Sequence, residues 1–163
     1  MKTSEMSPAE QTKHWAGPAR PLSTAELADH HAVCQLCKIY AIGLDMRDYD
    51  LARSAFAPNA MIVGKSGLEP VDESLPKTYA LAAGFQATQH FIANQYVELD
   101  GEEAVVWSYG VAHHKVAAGQ ERDEVIAGVH YRDRCRRFAG GWLIVERSIV
   151  PQWIDMRPRD SKA

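Results

Sequence analysis

Two side chains of this sequence could pass a proton between them if the fold brings them together: Asp45 and His90. Taking a proton from beside a carbonyl, or opposite a leaving group, needs a base poised near neutral pH, which histidine supplies. A carboxylate bonded to the second ring nitrogen would fix the tautomer and stabilise the imidazolium, as in the serine-protease triad. Asp45 stands out by position. Leu27, His30, Cys34, Cys37, Ala41, Leu44 and Asp45 recur at helical steps, and the carboxylate closes that apolar stripe. An unpaired buried carboxylate is costly. Asp45 therefore has a partner, a catalytic duty, or a place in solvent as the cap of the next short helix. His90 opens a strand, where a histidine is equally at home as a half-exposed polar residue.

Other candidates carry weaker signals. His113 and His114 are adjacent in a strand pattern, so only one can enter a cavity. His30-His31 reads as a helix face. Cys34-Gln35-Leu36-Cys37 is formally a C-x-x-C, but it lies mid-helix with no second pair, so small core residues are the better reading than zinc or redox chemistry. Arg132, Arg134, Arg136 and Arg137 could suggest nucleic acid, but their alternating faces and compensating acids fit a solvated or subunit-interface strand.

The elements that must position these groups change period halfway along the chain. Residues 1–22 are rich in Ser, Pro, Ala and charge and read as a mobile arm. A capping box, Ser23-Thr24-Ala25-Glu26, starts the first helix. Asp48 or Asp50 caps a second over Tyr49 to Ala57, a short strand Met61-Ile62-Val63 follows, and Gly64 to Glu73 is a loop. Ser74 to Phe85 is a third helix with Pro76 in its first turn. Then come four long strands, 88–99, 103–116, 123–138 and 142–153. They are joined by Asp100-Gly101, by 117–122 containing Gly119, and by Ala139-Gly140-Gly141. Alternation groups His90, Ile92 and Asn94; Trp107, Tyr109, Val111 and His113; and Ile126, Gly128 and His130. Parity does not say which sets face the helices. Helices first and an antiparallel meander afterwards is an α+β arrangement.

The 163 residues suit one domain, 23–155, between the arm and a tail, 156–163. A net charge of −3 gives no footprint for nucleic acid or an anionic membrane. No apolar run approaches a membrane span and the N-terminus lacks a signal-peptide pattern. Three cysteines without a framework point to a reducing, cytoplasmic compartment.

The order of elements resembles the SnoaL-like branch of the NTF2-like (cystatin-like) superfamily. The residues that carry the resemblance are Tyr40-x4-Asp45-x2-Asp48, Phe56-Ala57-Pro58-Asn59-Ala60, Gln89-His90-Phe91-Ile92-x-Asn94, Gly141-Trp142-Leu143-Ile144 and Trp153. Asp45 to Pro58 with His90-Phe91-Ile92 looks particularly like the scytalone dehydratases, and the same anchors look like hexachlorocyclohexane dehydrochlorinases and bile acid 7α-dehydratases. The resemblance implies a cone of three helices on a strongly curved, mostly antiparallel sheet enclosing an apolar cavity. It implies an Asp–His pair at Asp45 and His90, with Tyr40 a third candidate and His113 or His114 near the place of a second histidine. It further implies homo-oligomers, trimers or dimers, through the outer face of the sheet. Two tyrosines that hold substrate in the scytalone dehydratases fall at Leu44 and about Gly64, so substrate preference does not carry over.

The expectation is a lyase or isomerase, dehydratase-like, acting on a small, mostly apolar cyclic compound. Asn94, Trp107, Tyr109, Val111, His113, Ile126, His130 and Phe85 would line its site. Elimination of this kind calls for no metal and no organic cofactor. Two rival readings are a non-catalytic ligand-binding or assembly module, and the small subunit of a ring-hydroxylating dioxygenase.

Overall fold

The computed structural model describes residues 10, 19–64, 67–118, 120 and 123–157. Most of the expected arm and tail, and part of the 117–122 turn, lie outside the described residues. Helix α1 (Thr24–Met46) starts at the expected capping box: the Glu26 amide donates to Ser23 Oγ at 3.2 Å and the Ser23 amide to the Glu26 carboxylate at 2.8 Å. The buried stripe of α1 is Val33, Cys34, Leu36, Cys37, Tyr40, Ala41 and Leu44. Leu27, expected on that stripe, is 55% exposed; the buried positions of α1 begin at Val33. Arg47 ends α1 in the left-handed region, φ 60°, its amide donating to Gly43 and Leu44 carbonyls. Gly43 lets the chain turn back tightly, since a Cβ there would lie 2.4 Å from the Ala52 amide nitrogen. Asp48 then caps α2 (Tyr49–Ser54) by accepting from the Leu51 amide at 2.9 Å.

Helix α2 stops three residues earlier than expected because Phe56 already enters strand β1 (Phe56–Gly64). Part of the expected loop is β2 (Gly67–Pro70), antiparallel to β1. Helix α3 (Val71–Ala83) begins at Val71, so Pro76 sits inside it instead of in its first turn. The meander follows as β3 (Ala87–Asp100), β4 (Glu103–Lys115), β5 (Glu124–Phe138) and β6 (Gly141–Arg157). The sheet order is β2-β1-β6-β5-β4-β3; only the β1–β6 pairing is parallel. This is the expected α+β fold, an unclosed mixed sheet with helices packed on one face.

The core sits where α1 crosses that face, with Cys37, Val106, Ile144 and Leu75 fully buried. All three cysteines are free and buried. Desolvation pushes the Cys37 thiol up to about 11, as fits a core residue. Among the core residues lies an ion pair. Arg147 Nε and Nη2 each donate at 2.7 Å to the two oxygens of Asp133, with the side chains 0% and 2% exposed. The rings of Tyr40, Tyr131 and Phe56 surround the guanidinium at 4.3, 4.8 and 5.3 Å. The surface arginines are compensated: Arg134 pairs with Glu146, Arg136 with Glu103, and Arg137 with Asp29 and Glu102. Among the described residues no helix is long and apolar enough to cross a membrane.

Candidate active site

β3 is the edge strand, so the His90 amide has no strand beyond it to receive its proton. Asp45, at the end of α1, takes that place: His90 N–H donates to Asp45 Oδ2 at 2.7 Å. The same carboxylate meets the ring, with His90 Nδ1 2.6 Å from Asp45 Oδ1. A carboxylate only accepts, so the proton of this contact is on Nδ1. Thr88, 7% exposed, donates its hydroxyl to Asp45 Oδ1 at 3.0 Å. The Asp45 carboxylate thus has three donors, and the His90 side chain is only 9% exposed.

Cross-strand rows identify what shares the face of His90. One row is Thr88–His114–Val125–Met156; the next is His90–Ala112–Ala127–Ile154. His114 is therefore the inward histidine. Its ring lies 6.1 Å from that of His90, edge-on, and 4.9 Å from the buried Phe85 ring. His114 Nδ1 donates to the Val125 carbonyl at 3.3 Å, and burial lowers its pKa from the ordinary value, so it is held neutral with Nε2 as an acceptor. Ile154 and Met156, 62% and 60% exposed, extend an apolar wall beyond the two histidines. A cavity of about 560 Å³ opens at Asp45, lined by Asp45, Ala87, Thr88, Gln89, His113 and Lys115. His90 is not among the residues that line it.

Of the remaining sequence candidates, only His113 lines the cavity at Asp45. Trp107, Tyr109, Val111, His113, Ile126 and His130 alternate with the inward rows and occupy the sheet face away from the helices. There Tyr109 stacks on His130 at 4.2 Å, and Phe91 meets His113 edge-on. Asn94, φ 42°, is exposed at a bulge between Ala93 and Tyr96, where the strand changes parity. Gln95 takes the inward place instead, donating to the Cys34 carbonyl and Ser108 Oγ. Tyr40 points into the core against Arg147. Sequence reasoning missed Thr88, Arg47, Val125, Ala127, Ile154 and Met156. The parity of His90, carried across the hairpins, was the available signal for the last four. Among the described residues no group of three His, Cys, Asp or Glu side chains could hold a metal ion.

Residues 25–148 match the SnoaL-like domain family. The chain belongs to that family. No curated protein matches it in sequence. Among solved structures, this SnoaL-like chain is similar to the Kfla4162 protein from Kribbella flavida. The identity is 23%, covering 80% of this chain and 95% of that one, with a TM-score of 0.72. A candidate scytalone dehydratase from Novosphingobium aromaticivorans matches at 19% identity, 87% and 99% coverage and a TM-score of 0.73. The hexachlorocyclohexane dehydrochlorinase LinA-type3 from Novosphingobium barchaimii matches at 15% identity, 80% and 91% coverage and a TM-score of 0.70. At these identities the likeness is one of fold.

Proposed function

We propose that this SnoaL-like protein is a cofactor-independent lyase or isomerase of dehydratase type, acting on a small, mostly apolar cyclic compound. The observation that carries the reading is the 2.6 Å bond between His90 Nδ1 and Asp45 Oδ1. A module that only bound a ligand would have no need of this contact, which turns His90 Nε2 away from the carboxylate.

His90 Nε2 takes the proton from a carbon beside the substrate carbonyl, and Asp45 balances the imidazolium that forms. The electron pair of that C–H bond becomes the new double bond. In a dehydration, the carbon–oxygen bond of the leaving hydroxyl breaks, and the imidazolium returns its proton to that oxygen to release water. In an isomerisation the proton goes back to carbon instead. His114 Nε2, a hydrogen-bond acceptor, orients a substrate hydroxyl. Val125, Ala127, Ile154 and Met156 offer the apolar wall against which a ring lies. The relatives named for dehydration and dehydrochlorination share the fold on which such a pair is mounted.

The protein is further proposed to work as a homo-oligomer, a trimer or dimer, through the outer face of its sheet. Phe91, Tyr96, Tyr109, Val150 and Trp153 lie there at 40–51% exposure, an apolar patch larger than scattered surface residues make.

The test is a panel of cyclic hydroxyketones and halocycloalkanes offered to wild type, His90→Ala and Asp45→Asn. Turnover by the wild type, falling about a hundredfold or more in both variants, is the expected result. Equal turnover by wild type and His90→Ala refutes the mechanism while leaving the fold intact.

A further inference from the structure

Arg47 and Thr88 form a relay onto the carboxylate of the pair. Arg47 Nη1 donates to Thr88 Oγ1 at 2.7 Å and to the Leu44 carbonyl at 2.7 Å, and Nη2 donates to the Ala82 carbonyl at 3.0 Å. Thr88 Oγ1 has one proton, and with Arg47 donating to the oxygen, that proton is directed to Asp45 Oδ1 at 3.0 Å. The guanidinium thus ties the end of α1, the end of α3 and the start of β3 together, and its positive charge polarises the hydroxyl that holds Asp45. Each hydrogen bond in such a chain strengthens the next.

The backbone supports the same conclusion. Arg47 sits at φ 60°, in the left-handed region, where a helix ordinarily ends on glycine. A side chain at that position costs stability and persists only where its surroundings over-determine it. Glycine would end α1 equally well but would supply no guanidinium. What an arginine contributes there is the contact set that converges on Thr88.

We propose that Arg47 and Thr88 are positioning residues for the proton-transfer pair. Arg47 locks the Thr88 hydroxyl into a single donor role, and Thr88 sets the rotamer of the Asp45 carboxylate so that Oδ1 faces the His90 ring while Oδ2 takes the His90 amide. Without the hydroxyl, Oδ1 loses one of its two donors and the carboxylate is free to turn about its last torsion. The His90 ring then loses a fixed partner, although neither Arg47 nor Thr88 carries the transferred proton. The inference rests on the proton-transfer reading of the site for its consequence in catalysis, but its geometry has a readout of its own.

That readout is the low-field proton NMR resonance of the His90 Nδ1–H held between imidazole and carboxylate, recorded on the full chain. Wild type shows the resonance. Thr88→Val, close in shape but without the hydroxyl, loses it to broadening while keeping dispersed amide signals and a cooperative melt. Thr88→Ser, which restores the hydroxyl, restores the resonance. Arg47→Gln weakens it, and combining Arg47→Gln with Thr88→Val adds nothing further, as two links of one chain require. With a turned-over substrate, kcat falls about tenfold to a hundredfold in Thr88→Val at unchanged KM, and Thr88→Ser recovers it. An unchanged resonance in folded Thr88→Val overturns the proposal. So does failure of Thr88→Val and Arg47→Gln to fold while Thr88→Ser folds, since that assigns the contacts to stability alone. A chain that shows the resonance pattern but turns nothing over refutes the lyase reading and leaves the relay standing; full turnover in a Thr88→Val that keeps the resonance does the reverse.

Discussion

Arg147→Met should destabilise the domain far more than the loss of one surface charge, and the geometry says by how much. Both Asp133 oxygens are held by Arg147 at 2.7 Å, and the pair is 0% and 2% exposed. Removing the guanidinium leaves a carboxylate in a low-dielectric core walled by Tyr40, Tyr131 and Phe56. Breaking a buried pair from one side costs about 3–5 kcal/mol. For a domain whose whole stability is on the order of 5–15 kcal/mol, that is a large fraction. It corresponds to a fall in Tm of roughly 6–20 °C for a chain of this size. Replacing both partners, with Arg147→Met and Asp133→Leu together, removes the orphaned charge along with the pair. The double variant should lie within about 2 kcal/mol of wild type. Urea unfolding of the four proteins gives the coupling energy directly. The reasoning fails if Arg147→Met alone stays within about 1 kcal/mol of wild type, or if the double variant is as damaged as the sum of the singles. Tyr40 belongs to this cluster and not to the proton-transfer pair. Loss of activity in Arg147→Met beyond its loss of folded protein would therefore also count against the placement.

Three further outcomes follow from single contacts. Gly43→Ala should cost roughly 1–3 kcal/mol by urea melt, because its Cβ would fall 2.4–2.7 Å from Ala52 backbone and Cβ atoms that have no room to move. His114 is held neutral by burial, its pKa lowered from 6.5. The unfolded chain therefore binds more protons than the folded one once the pH drops below that ordinary value, and the stability present above it is lost as the pH falls toward the folded-state pKa. His114→Gln should make the fall in urea midpoint between pH 7 and pH 5 shallower than in wild type, and an identical slope would show that His114 does not contribute. Phe91→Glu with Tyr109→Glu, on the outer sheet face, should lower the mass measured by light scattering from an oligomer to a monomer while leaving the far-ultraviolet circular dichroism unchanged. A wild type that is already monomeric at high concentration would sink the assembly proposal.

Most of the architecture was legible because it rests on local signals. The capping box at Ser23, the Asp48 cap and the Asp100-Gly101 turn each act within a few residues, and each is found where the sequence puts it. The Asp45–His90 contact was legible for a different reason. An aspartate closing a helical stripe and a histidine opening a strand are oddities that a family resemblance joined, across a separation of 45 residues. Thr88 and Arg47 carried no such signal. A threonine in a strand and an arginine near a helix end are ordinary, and only the edge position of β3 makes their bonds to the carboxylate meaningful.

The lining of the site was hidden by parity. Strand periodicity separates two faces without labelling them, so the large aromatics Trp107 and Tyr109 looked like a cavity wall. The alternating set Ala104, Val106, Ser108, Gly110 and Ala112 faces the helices instead. Small side chains are needed there because Gln95 and the Tyr131 ring press onto β4: a Cβ on Gly110 would lie 2.7 Å from Tyr131. The bulge at Asn94 breaks the count again, moving Gln95 inward and Asn94 out. The size pattern on β4 was therefore the better guide than hydrophobicity: small residues mark the face on which a helix sits close, and large exposed ones mark a face left for another surface. On that argument the proposed assembly face and the proposed proton-transfer site are separate surfaces. A substitution at Trp107 or Tyr109 should alter assembly before it alters turnover, whereas one at Ala127 or Ile154 should alter turnover while the mass in solution stays the same.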